Sequence, residues 1–109
     1  MKRLLIALAL IGSSFSASAT DGNELYKWRL SYQDKSGSNF EAGMYIGFIG
    51  GVTGIFTDEI FCIPEGTLNR QVYDIVLLYL QNNPKDRTKS GSSLVLTALH
   101  NAYPCQKNK

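Results

Sequence analysis

The sequence predicts a small all-α domain of four or five helices, stapled by one disulfide bond. Three observations support this fold class. Apolar residues recur at helical spacing in the second half of the chain. Polar residues suited to capping a helix precede the first two periodic segments. The two cysteines of the chain, Cys62 and Cys105, are an even pair placed far apart.

The amino terminus has the pattern of a secretory signal peptide. Residues 2–3 are basic, residues 4–11 are apolar, and residues 17–19 read Ala-Ser-Ala, a small-residue cleavage site. We therefore expect residues 1–19 to be removed and residues 20–109 to form one domain in the periplasm. The apolar stretch is shorter than the roughly 20 residues of a membrane-spanning helix, so we expect no membrane span after cleavage.

The charge of the exported part is balanced. The whole chain has a formal net charge of +2, and Lys2 and Arg3 of the signal peptide account for it. The remaining basic residues equal the acidic residues in number, so the domain lacks the basic footprint of a nucleic-acid-binding protein.

The two cysteines predict a disulfide between Cys62 and Cys105. An even pair in an exported domain favours a disulfide, whereas a metal site would need more ligands. Closing so long a loop is worth about 4 kcal/mol in the chain-entropy description, a large share of the stability of a small domain.

Two capping-box spacings predict the first two helices, Asp21 with Glu24 and Ser38 with Glu41. The second helix has no charged residue from position 42 to 57. On a helical wheel its large apolar side chains fill one side, and the other side is lined by Gly43, Gly47, Gly50 and Gly54. Because each glycine costs a helix about 1 kcal/mol, we predict a central buried helix with another helix packed closely on the glycine side. A glycine-broken loop or strand is the alternative.

The clearest helical pattern follows Pro64 and Gly66. It repeats through Leu68, Val72, Ile75, Val76, Tyr79 and Leu80. Tyr73, Leu77 and Leu78 lie off this stripe. A helix that is apolar nearly all round must be buried on more than one side, so we predict a homodimer with these three residues as contact candidates. A last amphipathic helix runs from Leu94 towards Pro104.

The sequence does not favour an enzyme. A thiol nucleophile would need a free cysteine beside a histidine base, and both cysteines are expected to be paired. His100, the one histidine, is expected to be structural or exposed. Asp58 and Glu59 are neighbours that point about 100° apart on a helix, so they do not converge on one bond. We expect no catalytic residue, no cofactor and no metal.

The second half of the chain resembles the Rap/Tai family of type VI secretion immunity proteins. The resemblance spans Gly43 to Cys105. It is carried by an ordered series of short matches: Phe61-Cys62-Ile63-Pro64-Glu65-Gly66-Thr67, Gln71, Val76, Tyr79-Leu80, Asn83-Pro84, Leu94-Val95, Ala98-Leu99 and Tyr103-Pro104-Cys105. It implies an all-helical, dimer-forming protein that neutralises a peptidoglycan amidase in the periplasm. Family members often carry a further cysteine pair, and residues 26–29 and 39–42 hold no cysteine here.

The polar stretch between the last two helices is the candidate toxin-binding segment. An inhibitor of a groove-shaped hydrolase needs a polar segment that can enter the groove, and the apolar helices are committed to the core or the dimer. The candidates are Lys85, Asp86, Arg87, Thr88, Lys89, Ser90, Gly91, Ser92 and Ser93. An ordinary solvated connector is the alternative for this segment. For the whole protein, the alternative function is a periplasmic structural or envelope-assembly protein with an unrelated partner, and a small hydrolase ranks third.

Overall fold

Helices make up most of the chain in the computed structural model, which describes residues 19–34 and 38–106. Along these residues the elements are α1 (Gly22–Asp34), α2 (Asn39–Phe56), α3 (Asn69–Asn82), the 3-10 helix η1 (Pro84–Thr88) and α4 (Gly91–Ala102). The predicted all-α fold is confirmed. The predicted signal peptide falls on residues 1–19, and residues 1–18 of it lie outside the described residues.

Side chains cap the starts of three helices. The Asp21 carboxylate accepts a hydrogen bond from the Glu24 amide at 2.9 Å. The Ser38 hydroxyl accepts from the amides of Phe40 and Glu41 at 3.1 and 3.2 Å. Ser90 caps α4 in the same way. Because the first amides of a helix have no partner within the helix, these caps fix where the helices begin.

The four α-helices bury one apolar core. It contains residues from every α-helix and from the segment between α2 and α3: Leu25, Trp28, Tyr32, Tyr45, Ile49, Val52, Phe61, Val72, Val76, Leu77, Leu80, Leu94, Val95, Ala98 and Leu99. The most extensive contact is between α1 and α2, and α3 packs beside α4.

A group of tyrosines joins α1, α2 and α3. The rings of Tyr32 and Tyr45 lie 5.0 Å apart, and the ring of Tyr73 meets Tyr32 edge-on at 6.0 Å. Their buried hydroxyls are satisfied, because Tyr45 donates to the Tyr73 carbonyl at 2.8 Å and Tyr32 donates to Asp74 at 3.0 Å. Burial and the bond to Asp74 raise the pKa of Tyr32 to about 12, so its phenol stays protonated.

Helix α2 forms as predicted, but its glycine side is open. A Cβ added at any of five glycines would meet no atom within 4 Å: Gly43, Gly47, Gly50, Gly51 and Gly54. Phe40 and Ile55, at the two ends of the helix, are 73% and 70% exposed. We call this surface, the five glycines with Phe40 and Ile55, the glycine face.

The prediction of a central buried helix, with a neighbour packed on its glycines, is therefore wrong for the single chain. Helices α1 and α4 contact α2 on the other side, where Tyr45, Ile49 and Val52 are buried. That side offers large apolar side chains to bury, whereas glycines offer almost no apolar area.

The predicted disulfide between Cys62 and Cys105 is confirmed. It joins the segment after α2 to the segment after α4, and the Cys62 amide also donates to the Tyr103 carbonyl at 2.8 Å. Phe61, next to Cys62, is fully buried in the core. The disulfide thus fixes the segment after α4 against the α2–α3 connection.

Replacing Cys105 by serine should lower the free energy of unfolding by about 2–5 kcal/mol, because the unfolded chain regains the freedom that the cross-link removes. Urea denaturation followed by circular dichroism measures this loss. Reduction of the wild-type protein is the matched control and should give a similar loss. An unchanged unfolding midpoint in both samples would contradict the stabilising role of the disulfide.

Candidate functional site

The predicted toxin-binding segment, residues 85–93, is an ordered connection between α3 and α4. Its first part lies in η1, and Gly91 to Ser93 form the first turn of α4, after the capping residue Ser90. Most of its side chains are exposed: Lys85, Thr88, Lys89, Ser90, Ser92 and Ser93. Asp86 and Arg87 are half-buried, and Gly91 is buried.

The chain before α1 crosses this segment and bonds to it through the backbone. The Gly22 amide donates to the Lys89 carbonyl at 3.0 Å, and the Gly91 amide donates to the Thr20 carbonyl at 2.8 Å. Asp21 and Ser90 form an isolated antiparallel bridge between these two bonds. We call this crossing the amino-terminal clasp.

Two glycines permit the close approach in the clasp. A Cβ on Gly22 would contact the Leu94 side chain and lie 2.8 Å from backbone atoms of Arg87. A Cβ on Gly91 would lie 3.0 Å from the Thr20 carbonyl oxygen. Backbone atoms cannot yield as a flexible side chain does, so the clasp requires glycine at Gly22.

Arg87 ties η1 to the end of α3. Its Nε donates to the Leu80 carbonyl at 2.7 Å, and its Nη2 donates to the Gln81 carbonyl at 3.3 Å. Carbonyls in the last turn of a helix have no partner within the helix, so Arg87 acts as a carboxyl-terminal cap of α3. This residue therefore has a structural role in addition to the binding role that the sequence suggested.

Two arginines lie over one tyrosine ring beside the clasp. The guanidinium carbons of Arg29 and Arg87 are each 3.7 Å from the centroid of the Tyr26 ring. We call these three residues the arginine–tyrosine cluster. Hydrogen bonding to Arg29, together with the positive charges of Arg29 and Arg87, lowers the pKa of the Tyr26 hydroxyl.

Tyr26 and Arg29 were not among the site residues predicted from the sequence. Their spacing of three residues puts both on one face of α1, a local signal that was available. Their contact with Arg87 is long-range, and no spacing rule encodes it.

One ion pair lies on the exposed side of the segment. Lys89 approaches Asp86 at 3.4 Å, and 64% of the Lys89 side chain is exposed. An ion pair this exposed contributes little to stability, so Lys89 can exchange Asp86 for a carboxylate of a partner.

The three candidate dimer contacts have different environments. Leu77 is buried in the core and Tyr73 is half-buried in the tyrosine group, whereas Leu78 is 57% exposed. Leu78 lines a shallow apolar groove between α3 and α4, formed with Ile75, Tyr79, Asn82, Asn83, Ala98, Asn101 and Ala102. Of the three candidates, Leu78 is the most exposed.

The ionisable residues weighed as catalytic candidates from the sequence are exposed. His100 is exposed on the last turn of α4, and Asp58 and Glu59 are exposed in the turn after α2. Across residues 19–34 and 38–106, no three His, Cys, Asp or Glu side chains are placed to hold a metal ion. Across the same residues, no helix combines the length and apolar character needed to span a membrane.

Comparison with known proteins gives one family. Residues 21–105 match the family described as Rap1a immunity proteins. The match covers all four α-helices, both cysteines and the clasp residues from Asp21 onward. It confirms the resemblance found in the sequence. No curated protein matches the chain.

Arg87→Ala should lower the free energy of unfolding by about 1–3 kcal/mol, because it leaves the Leu80 and Gln81 carbonyls without their charged donor. Lys85→Ala, which removes an exposed cation from the same 3-10 helix, is the control and should change stability by no more than about 0.5 kcal/mol. Urea denaturation of both variants measures the difference. Equal free energies of unfolding for the two variants would show that Arg87 does not cap α3.

Proposed function

Because the chain belongs to the Rap1a immunity protein family, we propose that it is a periplasmic, non-catalytic inhibitor of a type VI-secreted peptidoglycan amidase. The inhibitor binds the toxin and occludes its active-site groove. The observation that carries this proposal is the family match, which extends over nearly all of the residues that the structure describes.

Two further observations support a periplasmic site of action. The first nineteen residues have the signal-peptide pattern, and the fold carries a disulfide that joins two distant segments. Disulfides persist in oxidising compartments such as the periplasm, where peptidoglycan is cut. Inhibition by occlusion needs shape and affinity, and no catalytic group of the inhibitor takes part.

We assign the toxin contact to residues 85–93. The clasp and Arg87 hold this segment against α1 and α3, so little conformational freedom remains to be lost on binding. Lys85 and Lys89 offer exposed charged donors, and Thr88, Ser90, Ser92 and Ser93 offer exposed hydroxyls. Gly91 is buried in the clasp, so its role is to position this surface.

Co-expression tests the proposal. A candidate periplasmic amidase is expressed with the full-length chain, with the chain lacking residues 2–19, or alone, and lysis is scored. We expect the full-length chain to prevent lysis and the leaderless chain to fail. A catalytically inactive amidase controls for lysis from expression alone. Lysis with every amidase tested, despite folded periplasmic chain, would contradict the proposal and favour the envelope-assembly alternative.

The double change Lys85→Ala with Lys89→Ala should weaken the complex with a neutralised amidase by at least about 30-fold, because contact energy in tight inhibitors is concentrated in few residues. Calorimetric titration measures the dissociation constant. This pair spares Arg87, whose loss would also disturb α3. Lys27→Ala, an exposed lysine on α1, is the control. Unchanged affinity in the double variant would move the contact to the exposed faces of α3 and α4.

We also propose that the chain forms a homodimer through the glycine face. Glycine is unfavourable in an exposed helix, yet five glycines of α2 face open space in the single chain. A second copy packed there would explain them, because glycines let two helices approach closely, and Phe40 and Ile55 would gain burial. The exposed Leu78 is the alternative contact, as the sequence suggested.

Gly47→Arg should convert the dimer into a monomer, because the arginine side chain holds the two helices apart. Leu78→Asp places a charge in the α3–α4 groove and should leave the dimer intact. Light scattering at micromolar concentration measures both masses. If Leu78→Asp is a monomer and Gly47→Arg remains a dimer, the contact lies on α3. A monomeric wild-type protein would contradict dimerisation.

A further inference from the structure

The arginine–tyrosine cluster brings two positive charges to one ring. The Arg29 and Arg87 guanidinium carbons each lie 3.7 Å from the Tyr26 centroid, so they are at most twice that distance apart. The electron-rich face of the ring attracts each guanidinium and offsets part of their mutual repulsion. Arg87 cannot move away without losing its bonds to the α3 carbonyls.

The protein does not neutralise these charges with its own carboxylates. All of its acidic residues lie within the described ranges, and none forms an ion pair with Arg29 or Arg87 there. The nearest acidic residue along the chain, Asp86, instead pairs with Lys89. The two guanidiniums therefore keep donor capacity for a negatively charged group outside the chain.

The surroundings indicate which kind of group fits. The exported part has equal numbers of acidic and basic residues, so the cluster is a local positive site and lacks the extended basic field that suits a polyanion. Its three residues are half-buried, and Leu30, one turn along α1 from Tyr26, is 51% exposed. Tyrosine and arginine beside an apolar side chain are the residue types that dominate protein–protein binding energy.

We propose that the arginine–tyrosine cluster binds one or two neighbouring carboxylates on the surface of the amidase. The Arg29 guanidinium can hold a carboxylate through two parallel hydrogen bonds, whereas Arg87 already donates to the Leu80 and Gln81 carbonyls. Arg29 is the direct contact, and Arg87 keeps Tyr26 and Arg29 in place while adding its charge. The cluster extends the toxin-binding surface from residues 85–93 onto α1, and this inference rests on the function proposed above.

Charge reversal at Arg29 tests the cluster against a matched control. Lys27 is exposed on the same helix and points roughly 200° away from Arg29, so Lys27→Glu makes the same change in net charge on another face. The probe is the amidase that the chain neutralises in the co-expression assay. We expect Arg29→Glu to raise the dissociation constant at least about 100-fold and Lys27→Glu to raise it less than about threefold.

Two milder variants separate a contact from a loss of folding. Arg29→Ala should weaken binding by about 10-fold or more with an unchanged circular dichroism spectrum, and Arg29→Lys should fall between Ala and wild type because lysine lacks the planar fork. Equal effects of Arg29→Glu and Lys27→Glu on affinity, or unchanged affinity in Arg29→Ala, would overturn the proposal that the cluster binds the amidase. Binding of the wild-type chain in the same experiment would still uphold the proposed function. Absence of wild-type binding to any amidase would overturn the proposed function and, with it, the ligand assigned to the cluster.

Discussion

Two backbone hydrogen bonds, between Gly22 and Lys89 and between Gly91 and Thr20, hold the start of the domain across the junction of η1 and α4. This clasp places the first turns of α1 beside residues 85–93, which are far from α1 in sequence. It so brings Tyr26 and Arg29 close to Arg87. A side chain at Gly22 would collide with the Arg87 backbone, so the candidate surface depends on glycine there. The polar segment is consequently a pre-ordered surface, which lowers the entropic cost of binding a partner.

The molecule presents two surfaces of opposite character. The glycine face of α2 is uncharged and includes the exposed Phe40 and Ile55, which suits a second copy of the same apolar surface. The surface formed by residues 85–93 and the arginine–tyrosine cluster is polar, and its two arginines form no ion pair with a carboxylate of the described residues, which suits an acidic partner. The disulfide supports both surfaces indirectly. It anchors the segment after α4 to the connection between α2, which carries the glycine face, and α3, which precedes residues 85–93.

Local signals in the sequence were sufficient for much of the fold. Asp21 and Ser38 start α1 and α2 through the capping bonds that their spacing predicts, and the even cysteine pair gave the disulfide. The predicted environment of α2 was wrong. Periodicity separates the glycine positions from the apolar positions, but it does not say which side of the helix meets another helix. The binding segment was found as a polar stretch, yet the carbonyl contacts of Arg87 and its contact with Tyr26 depend on tertiary packing. Leu77 shows the same limit, because an off-stripe leucine can be buried by its own chain.

Hydroxyl-radical footprinting of the free protein and of its complex with the proposed amidase target tests the division between the two surfaces most directly. Each surface carries oxidisable side chains: the half-buried Tyr26 of the cluster with the exposed Leu30 next to it, and the exposed Phe40 and Met44 along α2. If the polar surface is the toxin contact, adding the amidase lowers the oxidation rates of Tyr26 and Leu30 and leaves those of Phe40 and Met44 unchanged. Protection of Phe40 and Met44 by the amidase, with Tyr26 and Leu30 still oxidised as in the free protein, would contradict this account.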